Sequence, residues 1–373
     1  MDTELFLEML DKDSTSGMEA GFADFLAGRL QTPSCRVETY EVGDGTRNLL
    51  FSWGKPQVVF CTHLDTVPPY IPPVVSEEEG DTVFHGRGTC DAKGQIFAMY
   101  EACRELEAKG YDGFGLLLLA GEETGSFGAK AFREQHPGAE WVIVGEPTDN
   151  CMASASKGTK AFEVTFEGKA FHSGYPQYGL SAIEMFSDFM NALRSIVFPK
   201  DDVLGDTTWN VGRLISDNPQ NILSDRLTCR VYFRTTFESD EMVCNVMRNM
   251  AGEGARLRFG RRMVQDGSDI VSKDVAVWQK CMSVKALGGD TPTMYDTLEG
   301  FPAKPVAFGS DAPQLTNFRR KILCGPGSIL VAHRPEEHIS LSDLQKAKEN
   351  YMHIYEVLVN IPEGSLTRSI EKE

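Results

Sequence analysis

Histidine and acidic side chains follow several apolar stretches of this sequence. His63 and Asp65 come two residues apart at the end of the apolar run 58–62. In a β-strand that spacing places both side chains on one face. A histidine with a carboxylate beside it is the usual pairing of a metal ligand and the group that fixes its tautomer. The pair indicates a metal site, although His-x-Asp also ends many ordinary strands.

Two further apolar runs end in carboxylates. Run 116–120 leads to Glu122 and Glu123, and run 141–144 leads to Glu146. Helical patterns alternate with these runs, which predicts an α/β fold with a mostly parallel mixed sheet flanked by helices. Functional sites in such sheets form at the carboxyl ends of the strands. We therefore expect these side chains to share one site with His63.

Asp91, in a glycine-rich segment, and His333 complete a set of nitrogen and oxygen donors. Such donors suit zinc, with cobalt or manganese as alternatives. A carboxylate shared by two ions about 3.5–4 Å apart is common in two-metal hydrolases. The adjacent Glu122 and Glu123 would repel each other unless a cation or separate roles relieve them. The alternative for Glu122 and Glu123 is a solvated turn without a metal. The alternative to His333 as a ligand is the nearby His338.

Five motifs in fixed order carry a resemblance to a known family. The chain resembles the co-catalytic zinc amidohydrolases and peptidases that include acetylornithine deacetylase, succinyl-diaminopimelate desuccinylase, aminoacylase and carboxypeptidase G. The wording of the motifs is most similar to acetylornithine deacetylase. The motifs are THLD at 62–65, GRGTCDAKG at 86–94, GEE at 121–123, GEPT at 145–148 and AHRPEE at 332–337. Ala92 departs from the family pattern, where methionine or an acidic residue is common.

The resemblance implies two divalent metal ions, Zn2+ or alternatively Co2+. One ion would be held by His63, Asp91 and Glu146, and the other by Asp91, Glu123 and His333. Cys61, on the same strand as His63, is a possible soft ligand, but it is more ordinary as a small buried residue.

Three further features of the site follow from the same resemblance. Asp65 would orient His63, and Glu122 would be the general base that accepts a proton from water. The peptide bond between Asp91 and Ala92 would be cis.

A second domain is predicted from residue 156 onward. Its pattern reads β-α-β-β-α-β, which is typical of a ferredoxin-like α+β unit, with the last strand at 255–262. We therefore assign residues 1–155 and 266–373 to the catalytic domain and 156–265 to an insert. A helix is expected at 271–287, where the first domain resumes. Near the N-terminus, Ser16 is expected to cap a helix at 17–30, and 68–81 is expected to be a Pro- and Glu-rich loop.

The resemblance also assigns roles to residues outside the metal set. His172 would stabilise the oxyanion, often from the neighbouring subunit of a homodimer that forms through the insert. Arg234 and Asn221 would bind the substrate carboxylate, for which the guanidinium fork is suited, and Ser310 would also contact substrate. A surface ion pair is the alternative for Arg234.

The composition argues against several classes of function and indicates the cellular compartment. The formal charge of −17 argues against a nucleic-acid binder and against a polybasic membrane contact. The nine cysteines are scattered and form no Cys-x-x-Cys motif, which suits a reducing compartment. No apolar stretch is long enough for a transmembrane helix, and the expected location is the cytoplasm.

The resemblance, together with the donor set, implies an enzyme that hydrolyses the amide bond of a small N-acyl amino acid. The substrate that it implies first is N-acetylornithine, in arginine biosynthesis. A dipeptidase or carboxypeptidase, or a succinyl-diaminopimelate desuccinylase, with the same two-metal site is the alternative. A relative without activity that serves as a binding protein is a third possibility. It is disfavoured because every proposed ligand and the proposed base are present.

Overall fold

The computed structural model describes residues 1–43, 45–250 and 281–360. The chain divides into two compact units. The first comprises Met1–Ser154, Met294–Val306 and the residues from Ser310 onward, and the second comprises Ala155–Thr293 and Ala307–Gly309. Within the described ranges, every helix is too short or too polar to cross a membrane.

The described residues form helices and strands in mixed order. The helices are α1 (Thr3–Leu10), α2 (Ala20–Arg29), α3 (Lys93–Ala108), α4 (Phe127–Gln135), α5 (Ala182–Arg194), α6 (Asp240–Met250) and α7 (Leu341–Asn360). The strands are β1 (Cys35–Gly43), β2 (Thr46–Trp53), β3 (Val58–His63), β4 (Val74–Glu78), β5 (Asp81–His85), β6 (Phe114–Leu119), β7 (Trp141–Val144), β8 (Met152–Ser156), β9 (Gly158–Glu167), β10 (Thr208–Ile215), β11 (Arg226–Thr235), β12 (Met282–Gly288), β13 (Thr293–Met294), β14 (Ala303–Val306), β15 (Arg320–Leu323) and β16 (His338–Ser340).

A six-stranded mixed sheet forms the centre of the first unit, in the order β1-β2-β6-β3-β7-β15. The pairs β6–β3, β3–β7 and β7–β15 are parallel, and β1 and β2 add antiparallel strands at one edge. Strands β3, β6 and β7 are buried along their whole length, which explains why they read as continuous apolar runs. The parallel pairing brings the carboxyl ends of β3, β6 and β7 to one edge, as predicted.

The expected Pro- and Glu-rich loop contains a β-hairpin instead. Strands β4 and β5 pair in antiparallel register, and β16 joins them as a third strand. Glu79 and Gly80 both have positive φ, 53° and 86°, as a two-residue hairpin turn requires. The sequence pattern did not predict the hairpin because the residues of β4 are mostly exposed, so apolar and polar residues do not alternate along it.

The expected capping role of Ser16 is also wrong. Helix α2 begins at Ala20, and its cap residue Glu19 makes no side-chain hydrogen bond to the helix. The hydroxyl of Ser16 instead donates to Oδ2 of Asp65 at 2.8 Å. A serine hydroxyl satisfies a buried carboxylate as readily as a helix end, and local sequence does not distinguish these partners.

The second unit contains a four-stranded antiparallel sheet in the order β10-β11-β9-β12. Helices α5 and α6 pack their apolar residues on this sheet. The order is the ferredoxin-like one, but the described fourth strand is β12. The last part of the helix expected at 271–287 forms strand β12 instead, and its first part, 271–280, lies outside the described residues. The second unit extends to Thr293, whereas the insert was expected to end at residue 265. The strand predicted at 255–262 lies outside the described residues.

Candidate metal centre

His63 ends strand β3 with its ring held on both sides. Its Nδ1 lies 2.8 Å from the main-chain oxygen of Asp65, and its Nε2 lies 3.0 Å from Oδ1 of Asp91. A carbonyl oxygen only accepts hydrogen bonds, so Nδ1 carries a proton and Nε2 is the nitrogen that can bind a metal. The carboxylate of Asp65 is farther from the ring, with Oδ1 at 3.6 Å from Nδ1. The main-chain carbonyl therefore makes the closer contact that orients His63.

The carboxylate of Asp65 organises the turn after β6. It accepts hydrogen bonds from the main-chain N–H groups of Glu122 at 2.9 Å and Glu123 at 3.3 Å, and from the Ser16 hydroxyl. Asp65 is fully buried. Burial opposes its ionisation, but the neighbouring His63 and these donors hold its pKa below the usual value. Asp65 thereby holds the main chain of Glu122 and Glu123, the predicted general base and metal ligand, in place.

Asp91 lies between the two histidines. Its Oδ1 faces His63, and its Oδ2 lies 3.2 Å from Nε2 of His333. Both imidazoles hold the pKa of Asp91 below its usual range despite burial. The predicted cis peptide bond between Asp91 and Ala92 is confirmed. With one oxygen directed to each side, Asp91 can be shared by two ions.

The structure brings the predicted ligands together as two donor groups. One consists of His63, Asp91 and Glu146, and the other of Asp91, Glu123 and His333. Within each group the donor atoms all lie within 4.8 Å of one another. Two imidazoles and three carboxylates with a shared aspartate form a donor set that fits two divalent ions such as zinc. Cys61 belongs to neither group among the residues described.

The clustered carboxylates also make the binding of cations at this site favourable. Burial raises the pKa of Glu146 well above its usual value, and the charges of Glu122 and Asp91 raise it further. Hydrogen bonds to Asp91 and Glu123 raise the pKa of His333 to about 10. The carboxylates thus favour any positive charge that enters the cluster, and divalent ions would supply it.

Glu122 differs from Glu123 in what its side chain contacts. Oε1 of Glu123 lies 2.8 Å from Nε2 of His333, whereas Glu122 belongs to neither donor group. Burial raises the pKa of Glu122 well above its usual value, opposed by His63 and reinforced by Asp311. A carboxylate beside the donor groups, with a raised pKa, is suited to accept and return a proton.

The choice between His333 and His338 is settled by position. His333 has a left-handed backbone with φ of 64°, which directs its ring at Asp91 and Glu123. His338 lies in β16, where its ring is 5.6 Å from that of His85 and its Nδ1 contacts the main-chain oxygen of Glu336. His333 is therefore the histidine of the cluster.

The substrate-binding candidates are distributed over both units. In the second unit His172 pairs with Ile222, and the N–H of Ser173 donates to the main-chain oxygen of Asn221 at 2.9 Å, so His172 and Asn221 are neighbours. Arg234 lies on β11 with its guanidinium 5.0 Å from the ring centre of Tyr232.

Ser310 belongs to the first unit, where its buried hydroxyl accepts a hydrogen bond from the N–H of Ala312 at 3.3 Å. The contact of Ser16 with Asp65 was not expected from the sequence, which suggested a helix cap instead. Arg87 and Glu337 lie inside the GRGTCDAKG and AHRPEE motifs, but no role was predicted for them.

Comparison with known proteins now identifies the family. Residues 59–356 match the model of peptidase family M20/M25/M40. The chain belongs to this family. It is 32% identical over 360 residues to a peptidase M20 domain-containing protein of Schizosaccharomyces pombe. The alignment covers 93% of this chain and 82% of that protein.

Two further comparisons agree with this membership. A probable carboxypeptidase of Aspergillus niger is 30% identical over 386 residues, covering 93% of this chain and 87% of the relative. The crystal structure of a tripeptidase from Staphylococcus aureus superimposes with a TM-score of 0.76 at 18% identity and covers 96% of this chain and 98% of that one. The fold of this M20 protein and its class as a hydrolase are thereby shown. The closer resemblance to acetylornithine deacetylase is not confirmed.

Proposed function

We propose that this M20 protein is a two-metal hydrolase that cleaves the amide bond to a terminal amino acid with a free α-carboxylate. The observation that carries the proposal is the shared Asp91 between two donor groups, with Glu122 beside them. The names of the relatives support the carboxypeptidase form of this reaction. Arg234, with its guanidinium oriented over Tyr232, is our candidate for binding the α-carboxylate.

His63, Asp91 and Glu146 would hold one ion, and Asp91, Glu123 and His333 the other. When bound, two zinc ions would polarise the scissile carbonyl and lower the pKa of a water molecule. Glu122 would accept the proton of the attacking water and return it to the leaving amine. Asp65 would keep Glu122 in place through its main-chain N–H, so that the carboxylate does not have to reorganise during the reaction.

Deacetylation of N-acetylornithine is one reaction within this class, because its product also carries a free α-carboxylate. The motif wording favours it, whereas the names of the relatives favour peptide substrates. A parallel panel of N-acetylornithine, N-succinyl-diaminopimelate and a set of dipeptides measures kcat/KM for each. Hydrolysis of dipeptides at least tenfold faster than N-acetylornithine would establish the peptidase form, and the reverse order would establish the deacetylase.

Adjacent substitutions test the roles of the two glutamates. Glu122→Gln should keep both ions and reduce kcat by about 10²–10⁴-fold, since an amide nitrogen cannot accept the proton. Glu123→Gln should lose affinity for one ion, because it removes a ligand from one donor group only. Metal content and kcat are measured on both variants. Near-normal kcat for Glu122→Gln would show that another group is the base.

We also propose that the protein is a homodimer joined through the second unit. Strand β10 lies at one end of that unit's described sheet, and Leu214 and Ile215 on it are 53% and 61% exposed, so a second copy would cover them. Sedimentation of the wild type and of Leu214→Lys tests the dimer.

Mixing His172→Ala with Glu122→Gln tests whether His172 acts in the site of the partner subunit. If it does, activity should return to about a quarter of the wild-type value for random pairing of subunits. No return despite exchange of subunits would place His172 in its own subunit's site.

A further inference from the structure

A buried carboxylate outside the two donor groups gathers the main chain around Asp91. Glu337 is completely buried. Its Oε1 accepts hydrogen bonds from the main-chain N–H groups of Gly88 at 2.9 Å, Cys90 at 3.1 Å and Asp91 at 3.0 Å. Three N–H donors on one oxygen fix the course of the segment that carries the shared ligand.

The other oxygen of Glu337 forms an ion pair with Arg87. Both side chains are almost completely buried, and Nη1 of Arg87 donates to Oε2 of Glu337. The same Nη1 donates to the main-chain oxygen of Arg334, and Nε donates to that of Pro69 at 3.3 Å. A buried ion pair needs such additional hydrogen bonds to offset the loss of solvation.

The pair joins the segments that carry Asp91 and His333, two of the three ligands of the second donor group. Glu337 follows His333 by four residues, and the N–H of Gly86 donates to the main-chain oxygen of Glu337 at 3.0 Å. Asp91 is thus tied through Glu337 to the loop that carries His333. The group of His63, Asp91 and Glu146 shares only Asp91 with this connection.

We propose that Glu337, paired with Arg87, is a positioning residue that sets the spacing between Asp91 and His333. In this way it sets the affinity of the Asp91–Glu123–His333 group for a divalent ion. The inference rests on the two-metal centre proposed above. Residues that hold metal ligands in place typically change metal affinity by about 10–100-fold when they are altered.

The substitution Glu337→Gln keeps the shape of the side chain but cannot keep its contacts. If the amide nitrogen faces the three main-chain N–H groups, donors meet donors. If it faces Arg87, the guanidinium loses its acceptor in a buried position. In either orientation the link between the segments weakens while the metal ligands themselves are unchanged.

The experiment measures zinc binding to the metal-free protein, by competition with a chromophoric chelator. Glu123→Gln and Glu146→Gln each remove a ligand found in one group only, so they assign the two binding steps. For Glu337→Gln we expect the step lost in Glu123→Gln to weaken by about 10–100-fold and the other step to change less. The matched control is Glu336→Gln, whose exposed carboxylate lies 3.7 Å from Nε of Arg334, and both steps should stay within about twofold of wild type.

The outcomes separate this inference from the proposed function. A wild-type protein that binds fewer than two ions overturns the two-metal centre and the inference with it. Two normal steps in Glu337→Gln, or equal weakening of both, overturn the positioning role and leave the centre intact. If Glu337→Gln does not fold, Arg87→Lys replaces it, because one ammonium group cannot reach Glu337, Arg334 and Pro69 together. Selective weakening of the same step in that variant supports the inference, and an unchanged titration overturns it.

Discussion

Replacing Asp65 by asparagine tests which part of this residue serves the metal centre. The resemblance assigns the carboxylate of Asp65 to His63, but the closer contact to the ring is made by the main-chain carbonyl. The carboxylate instead accepts the N–H groups of Glu122 and Glu123. Asn keeps the carbonyl and one acceptor oxygen, so Asp65→Asn should leave His63 in place and release one glutamate.

The size of the effect follows from the lost hydrogen bond. A hydrogen bond to a charged group contributes roughly 1.5–3 kcal/mol, and each 1.4 kcal/mol corresponds to about a factor of ten. If the amide nitrogen replaces Oδ2, it confronts the N–H of Glu123 and removes that bond, while Ser16 can turn to accept. We therefore expect zinc affinity in the Asp91–Glu123–His333 group to fall by about 10–150-fold, with a comparable fall in kcat/KM at limiting zinc.

The assay is a zinc titration of the metal-free Asp65→Asn protein, with Glu123→Gln and Glu146→Gln to assign the steps. Weakening of the step that belongs to Glu123 supports the geometry described here. Weakening of the step that belongs to His63 and Glu146 instead would refute it, and would return the carboxylate to the role of orienting the imidazole. Thermal unfolding of the metal-free variant checks that the fold is retained.

Two further predictions concern side-chain hydrogen bonds, at the half-buried Ser16 and the buried Asp201. Ser16→Ala removes one donor from the carboxylate of Asp65 and should lower kcat/KM about fivefold, equivalent to about 1 kcal/mol. Ser14→Ala is its control and should stay within about twofold, since the buried Ser14 hydroxyl has no hydrogen-bond partner among the described residues. Asp201 accepts hydrogen bonds from three main-chain N–H groups, which lower its pKa from 3.8 although burial opposes this. Its contribution to stability is therefore present above pH 3.8 and is lost as the pH falls through the folded-state pKa. Asp201→Asn should cost about 1–3 kcal/mol in urea unfolding at pH 7 and less in acid, and a cost that persists in acid, or that the exposed Asp202→Asn shares, would contradict this.

Much of the metal centre could be read from the sequence because its chemistry lies at strand ends. The apolar runs of β3, β6 and β7 are continuous since both faces of each strand are buried. His63, Glu122, Glu123 and Glu146 follow these runs closely, and parallel strands bring their carboxyl ends together. Neither Asp91 nor His333 lies at a central strand end, so the position of the strands does not place them in the set. Their side-chain chemistry made them candidates, and the family motifs assigned their roles as ligands.

Exposed and irregular elements were harder to predict. Strand β4 has no apolar face that a pattern could reveal, and β12 lies largely within a segment whose pattern suggested a helix. Both strands exist because of the neighbours with which they pair, β5 and β9. Whether a segment becomes a strand depends on the strand beside it as well as on its own residues, and for β12 that strand lies far away in the chain. The sequence pattern therefore did not predict β12, which is the fourth strand of the insert's described sheet.

The sequence by itself determined which residue types are available to bind metal and on which strands most of them lie. Only the tertiary structure decided how they are held. Ser16 contacts Asp65 across 49 residues, and Glu337 contacts Asp91 across 246. A buried carboxylate must find donors wherever the folded chain supplies them. The identity of those donors is fixed by packing, which no local pattern records.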